Sequence, residues 1–416
     1  MFREEHLQQF WYLHAVEFAG LVTVCGQPVS IIDVGILNHD EGPDFINARI
    51  KIGKIEWAGN IEMHIRTSDW IRHSHHHDEN YRYIILHVVW INDEENFIYS
   101  PLLELSKFFR NEDLVGQIAL ASNYQIQCSY KGIIDIDVTS NREFYALALN
   151  RFIRRKNHVL TLFTVQKFDF ATVLWRLIFR SFGRSTNADA FEQLLLSIPT
   201  HLMRLYAYDE NLIAALLMGQ SNLLRSNFSD IYPKELYKNY ELLKQRHGLI
   251  PIKAKMKFLR MRPRNFPTIR LAQLSAFFHQ NMSLFKEILA IEETKHLNRI
   301  FNVNHHPYWN THYLFDKESV NQPKGIGCTL RNQIILNALV PFVLAYGEIQ
   351  QSQAYSRIAL NWLVSMKPEE DAIVHSFKAL GFIVHSSLDT QSLHELFNSK
   401  CIRRDCQNCL RGRSNL

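Results

Sequence analysis

A change in hydrophobic period is what most limits the folds open to this chain. From about residue 29 to residue 90, apolar residues recur every second position. Ile46, Ala48, Ile50 and Ile52 alternate with Asn47, Arg49 and Lys51. Trp57, Gly59, Ile61, Met63 and Ile65 then alternate with Ala58, Asn60, Glu62, His64 and Arg66. Side chains two apart on a strand share a face, so these runs predict neighbouring strands. Val29 and Ile31 predict an earlier strand ending near Gly35, and the dense apolar run Tyr83 to Trp90 predicts a buried one. Before them, Leu7, Phe10, Trp11 and His14 recur at helical spacing behind Glu4 and Glu5, acids suited to a helix N-terminus. A short helix is expected over 68–79. Beyond Arg142 the spacing is helical almost throughout: 144–162, 170–182, 188–195, 209–224, 235–244, 271–289 and 333–346.

The expected architecture is therefore α+β, with an α/β domain over 1–135 and a large, mostly α-helical domain over 136–416. A chain of 416 residues exceeds one ordinary core, and 47% hydrophobic content with 27 Phe allows extensive burial. No apolar run reaches the roughly 18–20 uncharged residues that span a bilayer, so no membrane partner is expected. The start Met1-Phe2-Arg3-Glu4-Glu5 lacks the basic and apolar stretches of a signal peptide. Six cysteines in a chain this size form no disulfide framework. A cytoplasmic location is the expectation.

The residues that carry chemistry sit on the alternating strands. Glu62 and His64 are two apart and project from one face, while Met63 points to the other. Asp44, after Pro43, is in phase with the apolar Ile46 and Ala48, so it must lie before the regular strand. Carboxylates on neighbouring strands can share one hard divalent cation, with the Met63 carbonyl as a further oxygen. His64 stands where a general base or phosphate-contacting group is wanted. The alternative is an ordinary solvated strand face.

Gly42-Pro43-Asp44-Phe45 with Glu62-Met63-His64 resembles the PD-(D/E)xK nuclease superfamily over roughly residues 1–100. The resemblance implies a restriction-endonuclease-like core and metal-dependent hydrolysis of phosphodiester bonds in DNA, less readily RNA. Asp44 and Glu62 match the acids that hold Mg²⁺ or Mn²⁺, and His64 takes the place of the superfamily's lysine. Asp44, Glu62 and His64 are thus the expected catalytic residues. Glu4, Glu5 or Glu17 would be the helix-borne acid that some members add. Nearly the whole chain also resembles a bacterial family known only as a domain of unknown function. The matching strings include Asn38, Asp69-Trp70, Leu86-His87-Val88-Val89, Arg260-Met261-Arg262-Pro263, Asn265 to Leu274, Tyr308 to Tyr313 and the terminal cysteines.

Three further groups stand out. His73, His75, His76, His77 and His87, with Asp69 and Asp78, could hold zinc, manganese or iron. Adjacent histidines on an irregular segment rarely face one ion, so a polar flank beside the cleft is the preferred reading. Cys401, Cys406 and Cys409 lie among arginines at a spacing suited to zinc or an iron–sulfur cluster, with Cys328, Cys128 or His394 as the missing ligand. Lys253 to Arg270 carries seven basic residues and no acid. There Arg260, Arg262, Arg264 and Arg270 are expected to grip backbone phosphates, or else to pair with acids at an interface. The net charge of +5 does not by itself declare a nucleic-acid partner. The expected function is a metal-dependent nuclease. A nucleic-acid-binding protein on a degenerate core and a structural or interaction protein are the alternatives. Oligomeric state is not legible.

Overall fold

The computed structural model describes residues 4–15, 18–38, 42–73, 75–110, 135–166, 169–259, 261–402, 405, 406 and 409. The chain divides into two compact units, Met1–Ser129 and Tyr130–Leu416, slightly before the boundary expected from the change of period.

In the first unit, elements follow in the order α1 (Glu4–His14), β1 (Val29–Asp33), β2 (Ile36–Leu37), β3 (Phe45–Ile52), β4 (Ile55–Arg66), α2 (Asp69–Arg72), β5 (Ile84–Ile91) and β6 (Leu102–Glu104). They build one mixed sheet in the order β1-β3-β4-β5-β6, with β2 also pairing β3. β1, β3 and β4 are antiparallel neighbours, and β3 and β4 meet at the tight turn Gly53-Lys54, where Gly53 has φ 60°. A two-residue hairpin favours positive φ because its twist then matches that of the strands. β5 runs parallel to β4, and β6 parallel to β5. A parallel pair needs a crossover, and residues 67–83 supply it. Here the expected 68–79 helix is shorter: one turn of α-helix, then two 3₁₀ turns at His75–His77 and Glu79–Tyr81. Leu7, Phe10 and Trp11 of α1 pack with Phe45, Ile50, Met63 and Val88 into one core.

A bulge sets the phase of β3. The β3–β4 register shifts between Phe45 and Ala48, where Asn47 takes φ 58°. The extra residue lets Phe45 and Ala48 both face the core. Asp44 immediately precedes the strand, on the opposite side from Phe45, which removes the conflict of phase found in the sequence.

The second unit is mostly helical around its own core. The expected helices 170–182 and 188–195 form one element, Phe170–Leu196, kinked at Arg184. The expected 271–289 helix is two, Pro267–Gln280 and Leu284–Ala290. Between them the Asn281 side chain donates to the carbonyls of Phe277 and Ile300. Helices at Gln353–Ser365, Ala372–Ala379 and Ser387–Leu396 escaped the periodicity reading. The last buries Asp389, Gln391 and Glu395, so polar core positions hid its period. Among the described residues, Cys328–Ile349 is long and apolar enough to cross a membrane, by length and composition only, and most of it is buried within its unit.

Gly59 lets β4 approach β5: a Cβ there would lie 2.5 Å from Ile85 Cγ2 and 2.9 Å from the Tyr83 carbonyl oxygen. Gly59→Ala should cost about 1–3 kcal/mol and lower the thermal unfolding midpoint. An unchanged midpoint would show that the strands have room to part.

Candidate metal centre

The β4–β5 pairing builds this site. Its register sets Glu62 opposite His87 and His64 opposite Val89. Glu62 and His64 share a face as expected, but that face is not a solvated strand surface. The 67–83 crossover covers it, leaving Glu62 3% exposed and His64 and His87 fully buried.

Three imidazole nitrogens converge there, with one Glu62 oxygen beside two of them. His64 Nε2 lies 3.2 Å from His73 Nδ1, 3.3 Å from His75 Nε2 and 3.5 Å from Glu62 Oε1. His75 Nε2 is 3.3 Å from the same Glu62 oxygen. Donors around a tetrahedral zinc at ~2.1 Å stand about 3.4 Å apart, which the separations from His64 Nε2 and between His75 and Glu62 match; the atoms mutually within 4.8 Å are those of His64, His73 and His75. Hydrogen bonding alone fits less well, because His64 Nε2 has one proton or one lone pair to share among three neighbours. The other nitrogen, Nδ1, is 2.9 Å from His87 Nε2. That contact fixes the His64 ring and leaves Nε2 toward the other ligands. Tyr81 stacks on His75 at 3.8 Å, and Trp70 meets both His75 and His87 edge-on or tilted. These rings hold the imidazoles in place.

A second cluster, of acids, adjoins the first. The Asp44 amide donates to Glu62 Oε2 at 3.0 Å, and the Met63 amide donates to Asp44 Oδ2 at 2.9 Å. From α1, Gln8 Nε2 donates to Asp44 Oδ1 at 2.8 Å and reaches Glu4 Oε1 at 3.5 Å. Of the helix-borne acids, Glu4 therefore approaches the site, Glu5 is exposed, and Glu17 lies outside the described residues.

The electrostatics follow from burial. Desolvation, helped by the charge of Glu4, pushes the Glu62 carboxyl up to about 8. Glu4 is raised to about 7 by burial and by the charges of Asp44 and Asp69. Burial and the neighbouring imidazoles lower His64 to about 2, and His87 falls to about 3. Neutral imidazoles and an acid reluctant to ionise are the state from which a cation displaces a proton. Three imidazole nitrogens and one carboxylate suit zinc, manganese or iron rather than magnesium.

Glu62 and His64 meet at one point as expected, but His73 and His75 join them, so these two are more than a polar flank. Five histidines within fifteen positions of a strand-borne acid were the available signal. The 3₁₀ turn 75–77, which turns His75 inward and His77 outward, was not legible. Asp69 instead accepts from the Arg66 amide and pairs with Arg72 at the start of α2, and Asp78 caps the next 3₁₀ turn.

Elsewhere the placements differ. His64, His73 and His75 have their ligating atoms within 4.8 Å of one another. Cys401 and Cys406 are half-buried, Cys409 is buried, and Cys328 is exposed. Cys128 lies outside the described residues, and His394 pairs with Asp371. Arg260 also lies outside them. Arg262 and Arg264 are exposed, whereas Arg270 is buried.

Protein purified without chelator should carry zinc, manganese or iron that is lost in His75→Ala and Glu62→Gln. His87→Ala should weaken it about 10- to 100-fold; elemental analysis and chelator competition read both. The metal-free protein should also lose stability as pH rises from 6.5 to about 8, because unfolded Glu62 and Glu4 are ionised there while the folded ones hold their protons. Between about pH 4.5 and 6.5 that slope is offset by the protons that unfolded histidines take up and buried His64 and His87 refuse, and below it the histidines alone lower stability. Urea midpoints that rise from pH 6.5 to 8 would refute this, and Glu62→Gln should flatten the alkaline arm.

No curated protein and no solved structure matches the chain. A family model described as a protein of unknown function, DUF2851, matches residues 4–372, a span holding every ligand of the candidate centre and most of the helical unit. The chain thus belongs to the DUF2851 family of proteins of unknown function.

Proposed function

We propose that the N-terminal unit is a metal-dependent phosphodiesterase, a nuclease acting on DNA. The convergence of His64 Nε2, His73 Nδ1 and His75 Nε2, with Glu62 Oε1 beside His64 and His75, carries this reading. Supporting the nuclease class is the element order: helix, antiparallel strands, short helix, parallel strand, with an acid after proline just before one strand and an acid on the next. That order agrees with the one implied by the PD-(D/E)xK resemblance.

Glu62, His64, His73 and His75 would hold the ion. An ion of this kind supplies Lewis-acid polarisation of a phosphoryl oxygen and lowers the pKa of water. The rest falls to the chain. His64, expected as a base, serves as a ligand, and His87 positions it. Asp44 is a positioning residue: it ties α1 through Gln8 to the backbone beside Glu62. Glu4, raised to about 7, is the carboxyl able to give or take a proton near neutral pH.

The test incubates single- and double-stranded DNA and RNA with the protein in Zn²⁺, Mn²⁺, Mg²⁺ or EDTA. Cleavage should require Zn²⁺ or Mn²⁺ and vanish in Glu62→Ala and His75→Ala. Glu4→Gln should keep the metal but cut more slowly, by about 10²-fold or more for a proton-transfer group. Intact nucleic acid in every lane, with equal binding by wild type and Glu62→Ala, would instead favour a nucleic-acid-binding protein on a retired core.

A further inference from the structure

In the helical unit, Arg184 has φ 57° and ψ −152° inside helix Phe170–Leu196. A non-glycine residue seldom adopts such backbone angles, and they collect at binding sites. Three residues on, buried Asn187 accepts the Lys257 amide at 2.8 Å and donates to the Lys257 carbonyl at 3.0 Å. The basic segment 253–270 is thereby fastened to the kink.

Arg270 lies in the first turn of helix Pro267–Gln280 and is 8% exposed. Its Nη1 donates to Gln273 Oε1 at 2.9 Å and its Nη2 to Asn265 Oδ1 at 2.5 Å, while the buried Nε has no partner. Burial, and then the charge of Arg184, lower it to about 10. Gln273 continues the network by donating to the carbonyls of Lys324 and Gly325. Lys324 is 2% exposed and donates to the carbonyls of Trp309 and Asn310. Nearby, exposed Arg264 donates to Gln322.

Among the described residues, every hydrogen-bond acceptor that these cations meet is neutral. Among the described residues, no carboxylate pairs with Arg184, Arg262, Arg264, Arg270 or Lys324. Elsewhere the same unit pairs its arginines: Arg154 makes two bonds to Glu395, and Arg176 and Arg180 share Glu192. A buried guanidinium, with the charge of a second bearing on it, is unfavourable without a counter-anion. The following helix adds donors, because Phe266 at its N-cap offers no side-chain acceptor to the first amides.

We propose that Arg184 and Arg270, with Arg262 and Arg264 at the rim, form a phosphate-binding site. A phosphate group carries up to two charges and several acceptor oxygens, enough for two guanidiniums and a helix terminus together. The phosphate is free or belongs to a polynucleotide, and the site does not depend on the metal centre.

Thermal unfolding of the full chain in EDTA tests it apart from any nuclease activity. Millimolar inorganic phosphate should raise the midpoint by a few degrees over chloride at equal ionic strength, as a ligand specific to the native state does. Arg184→Gly should lose that shift, with affinity lowered at least about tenfold, yet unfold no earlier than wild type in chloride because glycine accepts the φ. Should Arg184→Gly unfold early, Arg264→Gln, a change to an exposed side chain, must weaken the phosphate shift in its place. Oligodeoxynucleotides with and without a 5′-phosphate separate the sources. Equal shifts point to backbone phosphates, a shift with the phosphorylated strand alone to a terminal phosphate, and a shift with inorganic phosphate alone to a small ligand. No shift beyond chloride in wild type, or an undiminished shift in the variants, overturns the proposal.

Discussion

The parallel pairing of β4 with β5 is the constraint on which the N-terminal unit depends. Adjacent parallel strands must be joined by a crossover, and here residues 67–83 pass over the face from which Glu62, His64 and His87 project. Without that cover the three would lie on a polar surface with ordinary titration. Beneath it they are buried, the imidazoles become weak bases and the acid resists ionisation. The crossover also delivers His73 and His75 to the side of Glu62 that the strand cannot reach. Burial, altered basicity and ligand convergence thus have one cause.

A second device joins the site to the sheet. Asp44 and Glu62 each accept a backbone amide from the other strand's end: the Asp44 amide meets Glu62, and the Met63 amide meets Asp44. The exchange fixes the short turn after Pro43 against β4. Asn38 secures the same turn from outside, donating to the Pro43 carbonyl and to the Asp44 carbonyl. Through Gln8, α1 is held to this clasp, so the helix that packs the core also brings Glu4 to the acids. The glutamate divides its carboxylate: one oxygen serves the clasp and the other faces the imidazoles.

The helical unit handles charge in two ways. Arg151 and Arg154 meet Glu395 and Gln391 across the helix pair Arg142–Gln166 and Ser387–Leu396, where buried polar groups are satisfied by one another. Among the described residues, the cations around the kink at Arg184 meet side-chain amides, carbonyls and the Tyr313 ring but no carboxylate. Where other arginines of the same unit are met by carboxylates, those without one are informative.

Alternation and helical spacing fixed much of the architecture before any contact was known: α1, the strands from Val29 to Trp90, and the helices after Arg142 follow from local side-chain pattern. That pattern also put Glu62 and His64 on one face, because the two-residue period belongs to the strand itself. It could not register the bulge at Asn47, which depends on pairing with β4, or reveal helix Ser387–Leu396, whose buried polar residues imitate an exposed surface. Among the site residues, Glu62 and His64 were legible from spacing; His73, His75 and Glu4 stood among several sequence candidates that the tertiary structure chose between, and Gln8 was assigned by the tertiary structure alone. The same holds for Arg184 and Lys324, which lie far in sequence from the basic segment they join. Periodicity records which way a side chain leaves its own element. Which atoms then meet depends on strand register, on the path of the crossover and on the kink of a helix, and those are set by contacts between residues distant in the chain.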